Sequence, residues 1–329
     1  RDARTATLSF VEWLERQAPT KDGPSGIGVD QYDWYLKNVH LSPFSWREEK
    51  AQLERALFRA RTTLKLEEQR NRGLPALRPV GTAYSYGRRA RQRVDKYVSF
   101  LRRNAIISIE PYTKQSLLDH LGSYREPEDR NFFHQATHRE PMTLFTHYFQ
   151  WWDLARMQAS PHPSPIRQGP LLYNIFDSRS EGMATAMEEM MLHAGLYDDN
   201  PRAREIVWVM QAQRAARGLA SLYAHANEFS IADAADFHVE WTPRDWIRRD
   251  LGLLSFEQQL YLRQPGYGTS DITGKNHVER LFAKRVEAEG EDYSTKDFFA
   301  ELNAAGLIPM SLIEWRLTGE KPDFLDDIE

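Results

Sequence analysis

Apolar positions recur at helical rather than strand spacing along nearly the whole chain. Residues 5–17 carry Leu8, Val11, Trp13 and Leu14 on roughly one face, and residues 30–38 hold Tyr32, Trp34, Tyr35 and Leu36. A Gly/Pro-rich loop over 21–29 separates the two. Ser45, with Glu48 three residues on, forms the capping-box pattern that predicts the start of a long charged helix running to about Arg72. A Pro/Gly break at 73–80 leads to a basic helix around 88–104, and the Ile-Ile-Ser-Ile run at 106–109 is the only good strand candidate. Residues 160–170, with four prolines, predict an extended connector and the one place for a sub-boundary. Helical spacing resumes at 181–194, 201–227, 231–240, 243–251, 277–289 and 293–305. The pattern predicts a mostly α protein, one large helical domain over 1–329 with little or no β-structure.

Composition narrows the function classes. Of 329 residues, 41% are hydrophobic and 27% charged, which is ordinary for a globular chain. A formal net charge of −4 gives no global attraction to nucleic acid or anionic membrane, and no apolar run reaches the ~18–20 residues needed to span a bilayer. The basic cluster Arg88, Arg89, Arg91, Arg93, Arg102 and Arg103 has few interleaved aromatics, so a solvated face or internal salt bridges is expected there. Without cysteine, disulfides and thiolate metal sites are excluded, and cytoplasm and periplasm both stay open. The start at Arg1, with no methionine or signal-peptide apolar region, predicts a processed or truncated product. Aromatic content of 12% predicts a large aromatic core, with a pocket for an aromatic or apolar ligand as the alternative.

Several segments follow one another in a recognisable order: Gly26-Ile-Gly-x-x-x-Tyr32-x-x-x-Leu36; Ser180-Glu181-Gly182-Met183-Ala184; His225 followed by Glu228-Phe229-Ser230; and Gln264-Pro265-Gly266-Tyr267-Gly268-Thr269-Ser270-Asp271-x-x-Gly274-Lys275. Together these resemble the bacterial domain-of-unknown-function family 885, a relative of helical gluzincin metallopeptidases. The resemblance covers roughly residues 25–317, and implies a gluzincin-like helical fold from which the family's N-terminal portion is absent. The family's central His-Glu-x-x-Pro-Gly-His falls on His147-Tyr148-Phe149-Gln150-Trp151-Trp152-Asp153. In that pattern a histidine and a distant glutamate hold the metal and a neighbouring glutamate activates water. Here the ligands would be His147, Glu181 and Asp153, while Tyr148 replaces the water-activating glutamate. On an unbroken helix His147 and Asp153 stand about 600° apart and point to different faces, so joint ligation needs a kink. Without one, His147 is a hydrogen-bonded core histidine and Asp153 pairs with Arg156 or Arg179.

A second candidate is His134-Gln-Ala-Thr-His138, two imidazoles four residues apart on a helical face. Either set allows one divalent ion (Zn, Mn or Fe); without one there is no cofactor.

Loss of the water-activating glutamate leads to three expectations. The first is a diverged enzyme of lyase, dehydratase or isomerase type, with Tyr148, His147, His225 and Asp271 in proton transfer. Trp151, Trp152, Tyr267 and Arg214 would bind a small aromatic or apolar substrate. The second is a metal-dependent hydrolase or peptidase. The third is a catalytically silent binding or partner subunit, and a homo-oligomer is also open. Met183, Met187, Met190 and Met191 are expected in the core, and Glu188 and Glu189 in solvation or ion pairing.

Overall fold

The structure is a computed structural model that describes residues 2–168 and 177–328. Among the described residues, fifteen α-helices follow one another with short 3₁₀ turns between some of them, and there is no strand. The first eight are α1 (Asp2–Gln17), α2 (Val29–Asn38), α3 (Trp46–Arg70), α4 (Ala83–Arg103), α5 (Pro111–Leu118), α6 (Phe132–Thr137), α7 (Met142–Phe145) and α8 (Phe149–Ala159). The remaining seven are α9 (Asp177–His193), α10 (Pro201–His225), α11 (Ile231–Trp241), α12 (Gly252–Arg263), α13 (Tyr267–Glu289), α14 (Thr295–Ala304) and α15 (Met310–Thr318). The mostly α expectation therefore holds, with one all-α fold. Of the 160–170 connector, residues 169 and 170 lie outside the described residues.

Helix α3 starts where Ser45 and Glu48 predict. The Ser45 side chain accepts from the Glu48 backbone and the Glu48 carboxylate accepts from Ser45 N at 2.8 Å. Three expectations need correction. Residues 106–109 form no strand; Ile106 and Ile107 instead bury themselves in the core ahead of α5. Residues 243–251 are not a helix, because Arg244 and Asp245 take positive φ of 67° and 52° and end the 3₁₀ turn there. Helix α13 begins ten residues earlier than its apolar spacing indicates, at Tyr267 after left-handed Gly266 (φ 85°).

The centre of the molecule is α10, buried at every position from Glu205 to Leu222 and packed against α3, α9, α11 and α13. One continuous hydrophobic core extends from Tyr32 to Ile313, taking in Met183, Met187 and Met191 with Met190 packed against it. Helices α9 and α13 meet at glycine on glycine: a Cβ on Gly182 would lie 2.4 Å from Gly274 Cα, and one on Gly274 would lie 2.1 Å from Ser178 O. No side chain fits at that crossing, so the two backbones approach as closely as helices can. Glu181 and Thr185 of α9 are thereby brought beside Asp271 of α13. Helix α1 buries no residue, and Leu8, Phe10, Val11, Trp13 and Leu14 are all exposed.

Candidate functional site

His147 lies in the short stretch between α7 and α8, 8% exposed, with a carboxylate at each ring nitrogen. Nε2 lies 3.2 Å from Glu181 Oε2, and Nδ1 lies 3.0 Å from Glu188 Oε1. Arg214 of α10 donates to the same Glu188 oxygen at 2.7 Å and stands 3.1 Å from His147 Nδ1. Its Nε donates to Asp271 Oδ1 at 2.8 Å, an oxygen that also accepts from Thr185 Oγ1 at 3.0 Å. Arg217, one turn further along α10, holds Asp271 Oδ2 and donates to Glu257 Oε1 at 3.2 Å. Tyr267, at the start of α13, donates its hydroxyl to Glu181 Oε1 at 3.1 Å. Glu188 and Asp271 are sealed from solvent, whereas the Glu181 side chain keeps 16% of its surface exposed, with part-exposed Tyr267 beside it.

Position follows from helix periodicity. Glu181, Thr185 and Glu188 recur at i, i+4 and i+7 on α9 and share the face turned to α10 and α13. Arg214 and Arg217 recur at i and i+3 on α10.

Burial and Arg214 both press the His147 imidazolium toward neutrality. Hydrogen bonds to Glu181 and Glu188, with the charge of Glu188, outweigh them and raise its pKa to about 9. Burial would raise the Asp271 carboxyl, but Arg217 and Arg214 prevail and hold it below the usual carboxylate range. Asp177, one turn before Glu181, is pushed up to about 7 by burial first and then by the charges of Glu181 and Asp271. The Tyr267 phenol is raised well above its ordinary value by burial, and further by Glu181 and Asp271.

The network admits two hydrogen-bonded states that differ by one proton. As imidazolium, His147 donates to Glu181 and to Glu188. As neutral imidazole it keeps the Nε2 proton on Glu181 and accepts from Arg214 at Nδ1. Neither state leaves a ring nitrogen unpaired, so gain and loss of the proton need no rearrangement.

Of the residues singled out from sequence, the structure brings together His147, Glu181, Asp271, Arg214 and Tyr267, and separates the rest. Asp153 does not join His147 in a ligand set: on the unbroken helix α8 its Oδ1 accepts from Arg156 Nε at 3.0 Å and Nη2 at 2.9 Å, and its Oδ2 from buried Arg179. Tyr148 faces Phe145, Trp151 and Tyr86, and burial with Tyr86 raises its phenol; no charged group of the network reaches it. His225 lies elsewhere, at the end of α10, with Nε2 2.9 Å from Tyr261 O and its ring 5.2 Å from Tyr32. Trp151 stacks on His120 at 3.9 Å between ring centroids, while Trp152 is buried against Tyr97 and donates to Thr113 O at 2.8 Å. The two tryptophans therefore do not form a joint wall at His147.

His134 and His138 do not form a chelating pair. Helix α6 stops at Thr137, the rings meet edge-on at 5.9 Å, and His138 Nε2 accepts from Arg125 N at 2.9 Å. Burial and Arg130 lower His138 to about 4. Asp177 is the carboxylate that sequence reasoning missed, and Glu188, expected in solvation or ion pairing, is ion-paired with Arg214 and fully buried. Their one signal was helical spacing from Glu181, which does not distinguish a buried carboxylate from a solvated one.

Among the described residues, His147, Glu181 and Asp271 could each offer a ligand atom to one ion, all within 4.8 Å of one another. The donors fit a divalent cation in number and hardness. Asp271, however, has both oxygens held by guanidinium groups, so an ion there would share an oxygen with Arg214 or Arg217.

No protein-family model matches the chain, and no curated protein matches it in sequence. The fold is similar to two solved structures that both carry the name "putative lipoprotein". One, of unknown function, is from Shewanella oneidensis, with a TM-score of 0.72 and 15% identity over 97% of this chain and 65% of that one. The other, from Colwellia psychrerythraea, has a TM-score of 0.67 and 11% identity over 98% of this chain and 60% of that one. The chain thus spans less than two thirds of either, and the likeness establishes a shared fold alone. Among the described residues, no helix is long and apolar enough to cross a membrane.

Proposed function

We propose that this chain is a proton-transfer enzyme of lyase, dehydratase or isomerase type, a diverged relative of domain-of-unknown-function family 885 in which a metallopeptidase-like helical scaffold has changed its chemistry. The carrying observation is the pair of carboxylates on the two nitrogens of His147, with Arg214 ready to replace one of them when the ring is neutral. His147 acts as the proton reservoir, and Glu181, the only member of its carboxylate pair with exposed surface, passes the proton to or from a small apolar or aromatic substrate. Tyr267 steadies Glu181 through its other oxygen. Arg214 and Arg217 keep Asp271 ionised and anchor the ensemble. Asp177, titrating near neutrality, is the second acid–base group. The roles first expected of Tyr148 and His225 have no support in their surroundings. The lipoprotein names of the two structural neighbours favour the cell envelope over the cytoplasm.

A second reading, a metal-dependent hydrolase, is favoured by the clustering of His147, Glu181 and Asp271. Elemental analysis of the purified, unchelated protein, combined with nitrogen-15 histidine NMR, separates the two. Proton transfer predicts no stoichiometric metal and an imidazole, absent in His147→Gln, that titrates near 9. Stoichiometric zinc, manganese or iron that is lost in Glu181→Ala would refute it in favour of the hydrolase.

A further inference from the structure

A cavity of about 670 Å³ opens between α5, α8 and α14, away from the His147 network and sharing no residue with it. Its volume is in the range that holds small organic ligands. Aromatic residues back the lining: Phe149 and Trp152 from α8 and Phe299 from α14, all nearly buried, with half-buried Tyr112 from α5. Trp152 has its indole N–H fixed to Thr113 O, so its ring is held in place and its only polar atom is satisfied. At one side the apolar lining gives way to Asp153, Arg156 and Asn303.

The hydrogen bonding of that polar side is incomplete. Asp153 is a single carboxylate serving two guanidinium groups, Arg156 at Oδ1 and Arg179 at Oδ2. Arg179 is 1% exposed, and its Nε has no hydrogen-bond partner. Arg156 commits Nε and Nη2 to Asp153, and its Nη1 has no partner among the described residues. The one further carboxylate on the described lining, Glu110, is exposed to solvent, and Asp153 is the carboxylate that Arg156 pairs with. Arg156 therefore keeps unpartnered N–H capacity at the cavity. Asp153 holds Arg156 in place, which lowers the entropic cost of presenting its remaining N–H groups to a ligand.

We infer that this cavity is a binding site for a small monocarboxylate with a flat aromatic body, its ring against Tyr112 and the aromatic lining and its carboxylate on Arg156. The site does not rest on the proton-transfer reading.

Isothermal titration calorimetry on the intact chain tests it with two probes, phenylacetate and its neutral isostere phenylacetamide. Phenylacetate binds the wild type at least tenfold more tightly than the amide, and Arg156→Gln abolishes that preference while Asp153 keeps Arg179 as partner. Ala159→Trp, which puts an indole at the exposed end of α8 on the cavity lining, removes binding of both probes. His147→Gln leaves both affinities unchanged, which keeps this result separate from the fate of the catalytic proposal. The inference is overturned if neither probe binds, if acid and amide bind alike, or if Arg156→Gln or Ala159→Trp leaves binding as it was. Far-ultraviolet circular dichroism of each variant confirms that a lost signal is not lost folding.

Discussion

The two carboxylates on His147 make stability above neutrality depend on one proton. Folding raises the imidazole from its ordinary 6.5 to about 9. Between those values the folded chain holds a proton that the unfolded chain has released. The corresponding stabilisation is fully present below pH 6.5 and disappears as pH rises through about 9. A separation of that size corresponds to about 3 kcal/mol, at ~1.4 kcal/mol for each tenfold change in proton affinity. That is a sizeable part of the ~5–15 kcal/mol that holds a typical protein folded. Replacing His147 with glutamine removes the titration and keeps an amide donor of similar reach. The difference in unfolding free energy between wild type and His147→Gln should therefore shrink by about 3 kcal/mol across this window. Guanidinium unfolding followed by tryptophan fluorescence, at several pH values from 6.5 to about 9, reads it directly. Most of that window lies above the titration of Asp177 at about 7. A difference that stays flat across the window would refute the claim that His147 is held as an imidazolium by Glu181 and Glu188.

Asp177 should act in the opposite direction: its pKa is raised from 3.8 to about 7, so the carboxyl opposes folding progressively as pH climbs through that interval. Asp177→Asn should thus raise the melting temperature at pH 8 and leave it little changed near pH 4, which differential scanning calorimetry checks. Gly182→Ala should be strongly destabilising, by about 1–3 kcal/mol or more, because its methyl meets backbone rather than a side chain that can move. Gly73→Ala, with nothing within 4 Å, should be close to neutral in the same thermal melts. Ser45→Ala should cost about 1 kcal/mol by removing the α3 cap, which for a chain of this length lowers the melting temperature by only about 1–2 °C.

Local chemistry made some of this structure readable from sequence. Ser45 and Glu48 announced the start of α3 because a capping box is complete within four residues. The continuous helical signal of 201–227 survived because α10 is rich in alanine, arginine, glutamine and leucine and is buried as a unit. The first half of α13 was invisible, since Gly268, Thr269, Ser270, Thr273 and Gly274 are weak helix-formers. They are helical because α9 and α10 pack there, and small side chains are what the close approach demands. At the site, His147 and Glu181 were legible through their spacing and the resemblance it supports. The resemblance put Asp153 among the ligands, but the alternative expectation, pairing with Arg156 or Arg179, is what the structure shows, because α8 runs unbroken and both guanidinium groups hold its carboxylate. The role of Glu188 depends on Arg214 from another helix, a pairing that no periodicity encodes.

The crossing of Gly182 and Gly274 has a consequence for how this protein could be altered. The spacing between α9 and α13 there is set by atoms that glycine lacks, not by any of the side chains that carry charge. Glu181, Thr185 and Asp271 therefore start from a helix crossing that none of their own side chains sets, so each could be exchanged without moving the others' anchors. Frame and side chains are separable here: a redesign that keeps the two glycines inherits three convergent positions on which to install new chemistry. Altering either glycine would disperse all three positions, whatever residues they bore.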